Sequence, residues 1–409
     1  MERWKINLYT LWVTQVFSLM GFGLCIPFTP FYLQALGMSD PDQLSFFVGL
    51  TYTLPAATMA VAAPIWGLLS DRYGRKPMIL RAMGCATVLL SLMGLANAVW
   101  QFAVLRAMQG IFTGTVTASM SFVSAYTPTE KQSYALGLMT SSNFLGYSIG
   151  PFIGGFAAEY LGYRACFYIG AAIMAAGCLL VLFLVKEDKS VFTHRLPEPK
   201  EKKKGGMKIF TPFIVAVLVA LLFQRIARTI FAPYLALFVQ ESLGTISGAA
   251  SATGVINGAV GLATAAAALT LARWGDKKER MRLTILLTVL SLPVTVLLPF
   301  SPSLLFFGLA YTAYFLLAGA VEPVLTAAAA TEVPVESRGA LFGFLATVSS
   351  VGAMLSPMLG AWLSVRFSLM ALLIVIPVLT AVQLLCLFPA RKKTGEKTNK
   401  EAGEPRQDV

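Results

Sequence analysis

Apolar runs separated by short polar intervals fill the chain from residue 8 to residue 390. Each is close to the roughly 20 residues a helix needs to cross a hydrocarbon core. The pattern predicts twelve spans, at 8–33, 45–69, 78–98, 101–124, 134–157, 165–185, 210–238, 249–272, 283–300, 303–328, 339–363 and 367–390. The expected fold class is an all-α membrane protein, its twelve transmembrane helices arranged as two six-helix bundles.

The longest polar interval, KEDKSVFTHRLPEPKEKKKGGMK at 186–208, falls between the sixth and seventh runs. It divides the chain into an N-terminal bundle (1–185), a cytoplasmic linker (186–208), a C-terminal bundle (209–390) and a cytoplasmic tail (391–409). The first run is long and lacks a small-residue cleavage motif, so it reads as a retained span and not as a cleaved leader.

Composition agrees with this reading. Of 409 residues, 56% are hydrophobic and only 13% charged, too few charges to cover a soluble fold of this size. The net charge of +12 invites a nucleic-acid partner, but the basic residues lie between apolar runs and not along one face. With both termini inside, 27 of the 32 Lys and Arg fall on the inner side, which satisfies the positive-inside rule. The expected location is a bacterial cytoplasmic membrane. The five cysteines show no ligand spacing and His194 is the single histidine, so no metal site, cofactor site or catalytic triad is expected.

An internal repeat appears at an offset of 206: TPTEKQSYALG (127–137) aligns with VPVESRGALFG (333–343), and Pro151 with Pro357. Parallel six-span repeats place a pseudo-twofold axis along the membrane normal.

Four stretches carry candidate chemistry. GLLSDRYGRK (67–76) offers Gly67 for close helix approach, Asp71 as a cap, Gly74 for a tight turn, and Arg72, Arg75 and Lys76 as inner-side anchors. GYSIGPFIGG (146–155) sets small residues on one helix face around Pro151. LRAMQGIFTG (105–114) buries Arg106, and LLFQRIARTIFAPYLALF (221–238) buries Gln224, Arg225 and Arg228, with Gln224 and Arg228 one turn apart.

The first stretch resembles the signature loop of the major facilitator superfamily, G-x-x-x-D-R-x-G-R-R/K, at Gly67, Asp71, Arg72, Gly74, Arg75 and Lys76. ARWGDKKER (272–280) resembles a degraded second copy. The second stretch is similar to the antiporter motif of that family at Gly146, Gly150, Pro151, Gly154 and Gly155, and the third to the fourth-span motif of proton-coupled members. The resemblance implies a cytoplasmic gating loop, a role for Arg106 in proton coupling, and membership of the twelve-span drug:proton antiporter group, similar to bacterial multidrug efflux transporters.

A charge near the bilayer centre costs at least ~2.5–3.5 kcal/mol and needs a partner, cavity or pathway. Two readings of Arg106 stay open: proton coupling, or a bond to a backbone carbonyl freed by a kink. Glu322 is the only acid well inside a span. It is either one arm of a fixed salt bridge with a span 7 arginine or the proton carrier, with Asp71 as a second candidate. The first span carries no acid within 19–37, a departure from many members of the antiporter group. Phe28, Tyr147 and Tyr234 are candidate walls of an apolar cavity.

The expected function is proton-coupled efflux of small amphiphilic compounds by alternating access, with the proton as coupling ion and a monomer sufficient. The competing expectation is an exporter or flippase of an anionic lipid-like or sugar-containing metabolite, which the arginines of span 7 favour. A non-transporting sensor or scaffold is a third class. An enzyme is excluded, because nucleophile, base and orienting group do not assemble from these residues.

Overall fold

The computed structural model describes residues 2–187, 210–271, 274, 280–334 and 337–402, with side chains of Asp71 and 389–402 outside the description. Among the described residues the chain is helical, without strands. Ten helical segments are long and apolar enough to cross a membrane: Arg3–Ala35, Pro41–Ser70, Arg75–Leu95, Tyr163–Leu184, Pro212–Leu243, Ala249–Leu271, Arg280–Phe300, Leu304–Glu332, Arg338–Arg366 and Leu369–Phe388. Two further crossings complete the twelve. Val99–Phe112 continues into Thr115–Tyr126 as span 4, and Gln132–Leu161 is span 5. Span 5 is less apolar because it devotes positions to glycine, serine, threonine and asparagine, which let neighbouring backbones approach.

Several spans are interrupted, and the interruptions recur at the spacing of the repeat. Span 1 passes through a 3-10 turn at Ile26–Phe28 and span 7 through one at Ala232–Tyr234, each with a proline. Proline has no N–H to give the preceding turn and clashes with it. Span 4 breaks at Gly114 (φ 132°), a conformation that suits only glycine. Span 10 breaks at Gly319–Ala320, between Leu304–Ala318 and Val321–Glu332.

The chain divides into two compact units. The first comprises Met1–Pro199, Phe231–Ala265 and Pro357–Leu369. The second comprises Lys200–Ile230, Ala266–Ser356 and Met370–Val409. Spans 7, 8 and 11 therefore contribute to both, and the boundaries fall at the span 7 break, next to the π-turn Ala267–Leu271 and at Pro357.

In the first unit, Tyr32 donates to the Met93 carbonyl at 2.6 Å and packs against Phe102 and Phe167, with ring centroids 5.3 and 4.8 Å away. This cluster ties span 1 to spans 3, 4 and 6. The second unit is built on a buried face of span 7, where Phe213, Val217 and Leu221 meet Leu325, Ala329 and Leu341. The outward faces remain apolar: Leu305 is 74% and Trp362 62% exposed, as expected of side chains that meet lipid.

Candidate functional site

In the second unit, Arg228 stands at the end of the first half of span 7, and Glu322 in the first turn of the second half of span 10. Their side chains approach to 3.7 Å (Nη1 to Oε2). The break in span 10 makes this meeting possible, because it presents a helix N-terminus whose dipole favours a carboxylate. It also frees backbone carbonyls, and buried Gln224 donates to that of Ala318 at 2.9 Å. The Arg228 guanidinium lies over the Phe315 ring, 5.2 Å from its centroid, with Tyr311 packed edge-on to the same ring.

The result is an ion pair with an aromatic wall. At 3.7 Å it is longer than a hydrogen bond, and Glu322 keeps 39% of its side chain exposed. Glu322 thus remains able to exchange partners. Arg225, one position short of a turn before Arg228, packs against Gly352. Its Nε is buried and has no hydrogen-bond partner among the described residues.

Arg106 in the first unit has a different environment. It is 4% exposed; Nε donates to the Thr51 carbonyl at 2.9 Å and Nη1 to Gln109 Oε1 at 2.6 Å. Thr51 lies four residues before Pro55, inside span 2. Proline cannot supply the N–H that this carbonyl would accept in a continuous helix. The geometry therefore matches the carbonyl-bonding reading of Arg106.

The GYSIGPFIGG segment uses two faces. Gly146, Gly150 and Gly154 face span 1: a Cβ on each would lie 2.5 Å from Leu19 Cβ, 2.9 Å from Gly23 Cα and 2.6 Å from the Leu24 carbonyl. Gly155 faces span 8, where a Cβ would lie 2.7 Å from the Ala250 carbonyl and 2.9 Å from Gly254 Cα. Pro151 lies under Gly23, and its carbonyl under Gly254. The same unit holds Tyr234, whose hydroxyl donates to the Pro357 carbonyl at 2.7 Å. Through these contacts span 5 packs on spans 1 and 8, and span 7 on span 11.

At the other end of span 2, Gly74 takes φ 101° to turn into span 3. Arg75 donates through Nη1 to the Ser121 carbonyl, and Lys76 through Nζ to that of Leu182 at 2.9 Å. Arg72 is exposed and lies over Tyr73. The side chain of Asp71 and the second copy of the loop, apart from Trp274 and Arg280, lie outside the described residues. Gly67 departs from expectation, since a Cβ there would meet nothing within 4 Å. Phe28 and Tyr234 also depart from expectation. Both are buried (2% and 0% exposed), whereas Tyr147 is 59% exposed.

Sequence reasoning missed Glu187. Its carboxylate accepts from the backbone N–H groups of Arg75 (2.7 Å) and Lys76 (3.0 Å) and from the Tyr126 hydroxyl (3.2 Å). It thereby caps the N-terminus of span 3 from 112 residues away. Phe315 and Tyr311 were missed as well, since aromatics in apolar runs carry no distinguishing signal.

The family model for the Major Facilitator Superfamily matches residues 11–224 and again 217–408. The chain belongs to the Major Facilitator Superfamily. It is 30% identical to a protein of Yersinia enterocolitica named "Multidrug resistance protein MdtG", over 99% of this chain and 98% of that one. A protein of the same name from Citrobacter koseri is 31% identical over 90% and 91%. Among solved structures, a bacterial homolog of the human lysosomal transporter Spinster superposes with a TM-score of 0.75 at 14% identity, over 94% of this chain and 96% of that one. The nucleoside transporter NupG gives 0.75 at 10% identity over 94% and 99%. The fold is therefore the multi-pass transporter fold of the family.

Proposed function

We propose that this protein exports small amphiphilic compounds from bacteria in exchange for protons, by alternating access across the cytoplasmic membrane. The carrying observation is the Arg228–Glu322 pair at the break in span 10. Proton and substrate compete for Glu322: a substrate engages the deprotonated carboxylate, and protonation removes that charge, frees Arg228 and displaces the substrate. Phe315, Gln224 and Arg225 stand close enough to take part. The names of the MdtG relatives support the substrate class.

The two repeats, 1–185 and 209–390, are the moving bundles, joined by the linker 186–208, with both termini and the tail 391–409 in the cytoplasm. Arg106 holds span 2 at its kink, and the 67–76 loop with Asp71 latches the cytoplasmic side. The Gly146–Gly155 segment and Tyr234 seal the outer side. A monomer carries all of these parts, lipid surrounds it, and the proton is its only coupling partner.

The test is proton movement in proteoliposomes challenged with cationic, neutral and anionic amphiphiles, with Glu322→Gln in parallel. We expect at least one class to drive proton flux in the wild type and coupling to fall tenfold or more in the variant. Normal coupling in Glu322→Gln rejects the carrier assignment. A second reading, export of an anionic lipid-like or sugar-containing metabolite, is favoured by the buried, unpartnered Nε of Arg225. Movement of a labelled anionic lipid without proton flux would select it.

A further inference from the structure

The seal end of the first unit carries a cavity of about 820 Å³. It lies at the end of span 2 opposite the 67–76 loop. Its wall combines Gln34 of span 1, Asp42 and Ser45 of span 2, Gln240 and Glu241 of span 7, and Ser364 of span 11. Two hydrogen bonds cross between these elements: Gln34 Nε2 donates to Gln240 Oε1 at 3.0 Å, and Ser364 Oγ to Ser45 Oγ at 3.0 Å. The volume is within the ~300–1,000 Å³ typical of small-molecule sites.

The charges of the wall have one sign. Asp42 and Glu241 line the cavity, and no lysine, arginine or histidine does; Arg366, between the lining residues Val365 and Phe367, is exposed and not part of the wall. The other acids of this end are engaged locally. Asp40 accepts from the Gln43 N–H at 2.7 Å, and Glu159 from the Gly248 N–H at 2.7 Å. The carboxylates of Asp42 and Glu241 have neither an ion pair nor a hydrogen bond among the described residues. Gln34 Oε1 is a buried acceptor with no partner. A concave wall with two unpaired carboxylates focuses a negative potential, which repels anions and concentrates cations.

The geometry points to a second ligand site here, distinct from the Arg228–Glu322 pair, that takes organic cations from the outer side. Both halves of the chain build the wall, so a cation bound to it favours the closed seal. By mass action, occupancy at ten times the dissociation constant shifts that equilibrium by about tenfold. External cations therefore inhibit export. This consequence, though not the site itself, rests on the alternating-access reading.

The probe is hexamethonium, a bis-quaternary dication that does not cross bilayers. Calorimetric titration of the purified full-length protein should give saturable binding. That binding should weaken at least tenfold in the double variant Asp42→Asn, Glu241→Gln, whose positions are exposed and whose folding is checked by thermal unfolding. No binding, or binding indifferent to both neutralisations, overturns the site. Hexamethonium added outside proteoliposomes should slow wild-type export with half-saturation at its binding constant, and spare the double variant. Binding without inhibition overturns the locking consequence. If no compound moves protons at all, the proposed function fails and the titration still decides the site.

Discussion

The side-chain amide of Gln34 donates to that of Gln240, exactly 206 residues further along the chain. This is the offset at which the two halves repeat. The hydrogen bond therefore joins two positions that are equivalent in the repeat. The same offset relates Pro27 to Pro233, and the span 4 break at Gly114 to the span 10 break at Ala320. It also relates two interfaces of the seal. Gly155 packs on Gly254 between spans 5 and 8, while Ala361, its repeat equivalent, packs on Gly49 between spans 11 and 2.

The glycine contact between spans 5 and 8 leaves no room for a side chain. We expect Gly155→Val to cost about 1–3 kcal/mol through overpacking, seen as a lowered thermal midpoint and a several-fold rise in substrate-independent proton leak. Gly84, where a Cβ meets nothing within 4 Å, is the control. Gly84→Ala should be neutral or stabilising by up to ~1 kcal/mol. Equal behaviour of the two variants would refute the seal assignment.

The Tyr234 hydroxyl bonds the Pro357 carbonyl within the C-terminal half and reaches the Ser45 carbonyl of span 2, across the seal, at 3.4 Å. Removing it in Tyr234→Phe forfeits about 1 kcal/mol of closed-state stability, roughly a fivefold shift toward opening. The check is alkylation of a cysteine placed at Ser364 by an impermeant maleimide. The rate should rise about fivefold, and an unchanged rate would show that the hydroxyl holds nothing shut.

Arg106 and Pro55 should be energetically coupled. Arg106→Met leaves the Thr51 carbonyl buried without its donor, at a cost of about 1–3 kcal/mol. Adding Pro55→Ala supplies a helical N–H for that carbonyl, so the double variant should recover about 1 kcal/mol relative to additivity. Strict additivity in thermal or denaturant unfolding would argue that Arg106 is not held there for the carbonyl.

Glu187 caps span 3 with two backbone acceptances. Glu187→Ala should destabilise by about 0.5–2 kcal/mol and speed hydrogen exchange at the Arg75 and Lys76 amides. Glu187→Gln keeps one acceptor oxygen and should lose less. If exchange at these amides is the same in all three proteins, the cap is incidental.

Much of this protein is legible in its sequence. The twelve crossings follow from apolar run length, because in a hydrocarbon solvent an unbroken helix is the cheapest way to satisfy every backbone group. The repeat, the gating loop and the small-residue face of span 5 are local patterns of a few residues each. Glu322 stands out because an acid in such a run is costly wherever it points.

Partnership is what the sequence leaves open. Glu187 reads as the first acid of a charged linker, and only the packing of span 6 against span 3 makes it a helix cap. Phe28 and Tyr234 read as cavity walls in the sequence, and only the structure shows both buried at the proline turns. Two readings of Arg106 are open in sequence; only in space does the carbonyl freed by Pro55 lie within its reach. A side chain's neighbours across a bundle depend on where helices break and how closely they approach. The sequence by itself determines which segments enter the membrane and where their backbones must bend; the tertiary structure alone decides which charge meets which carbonyl.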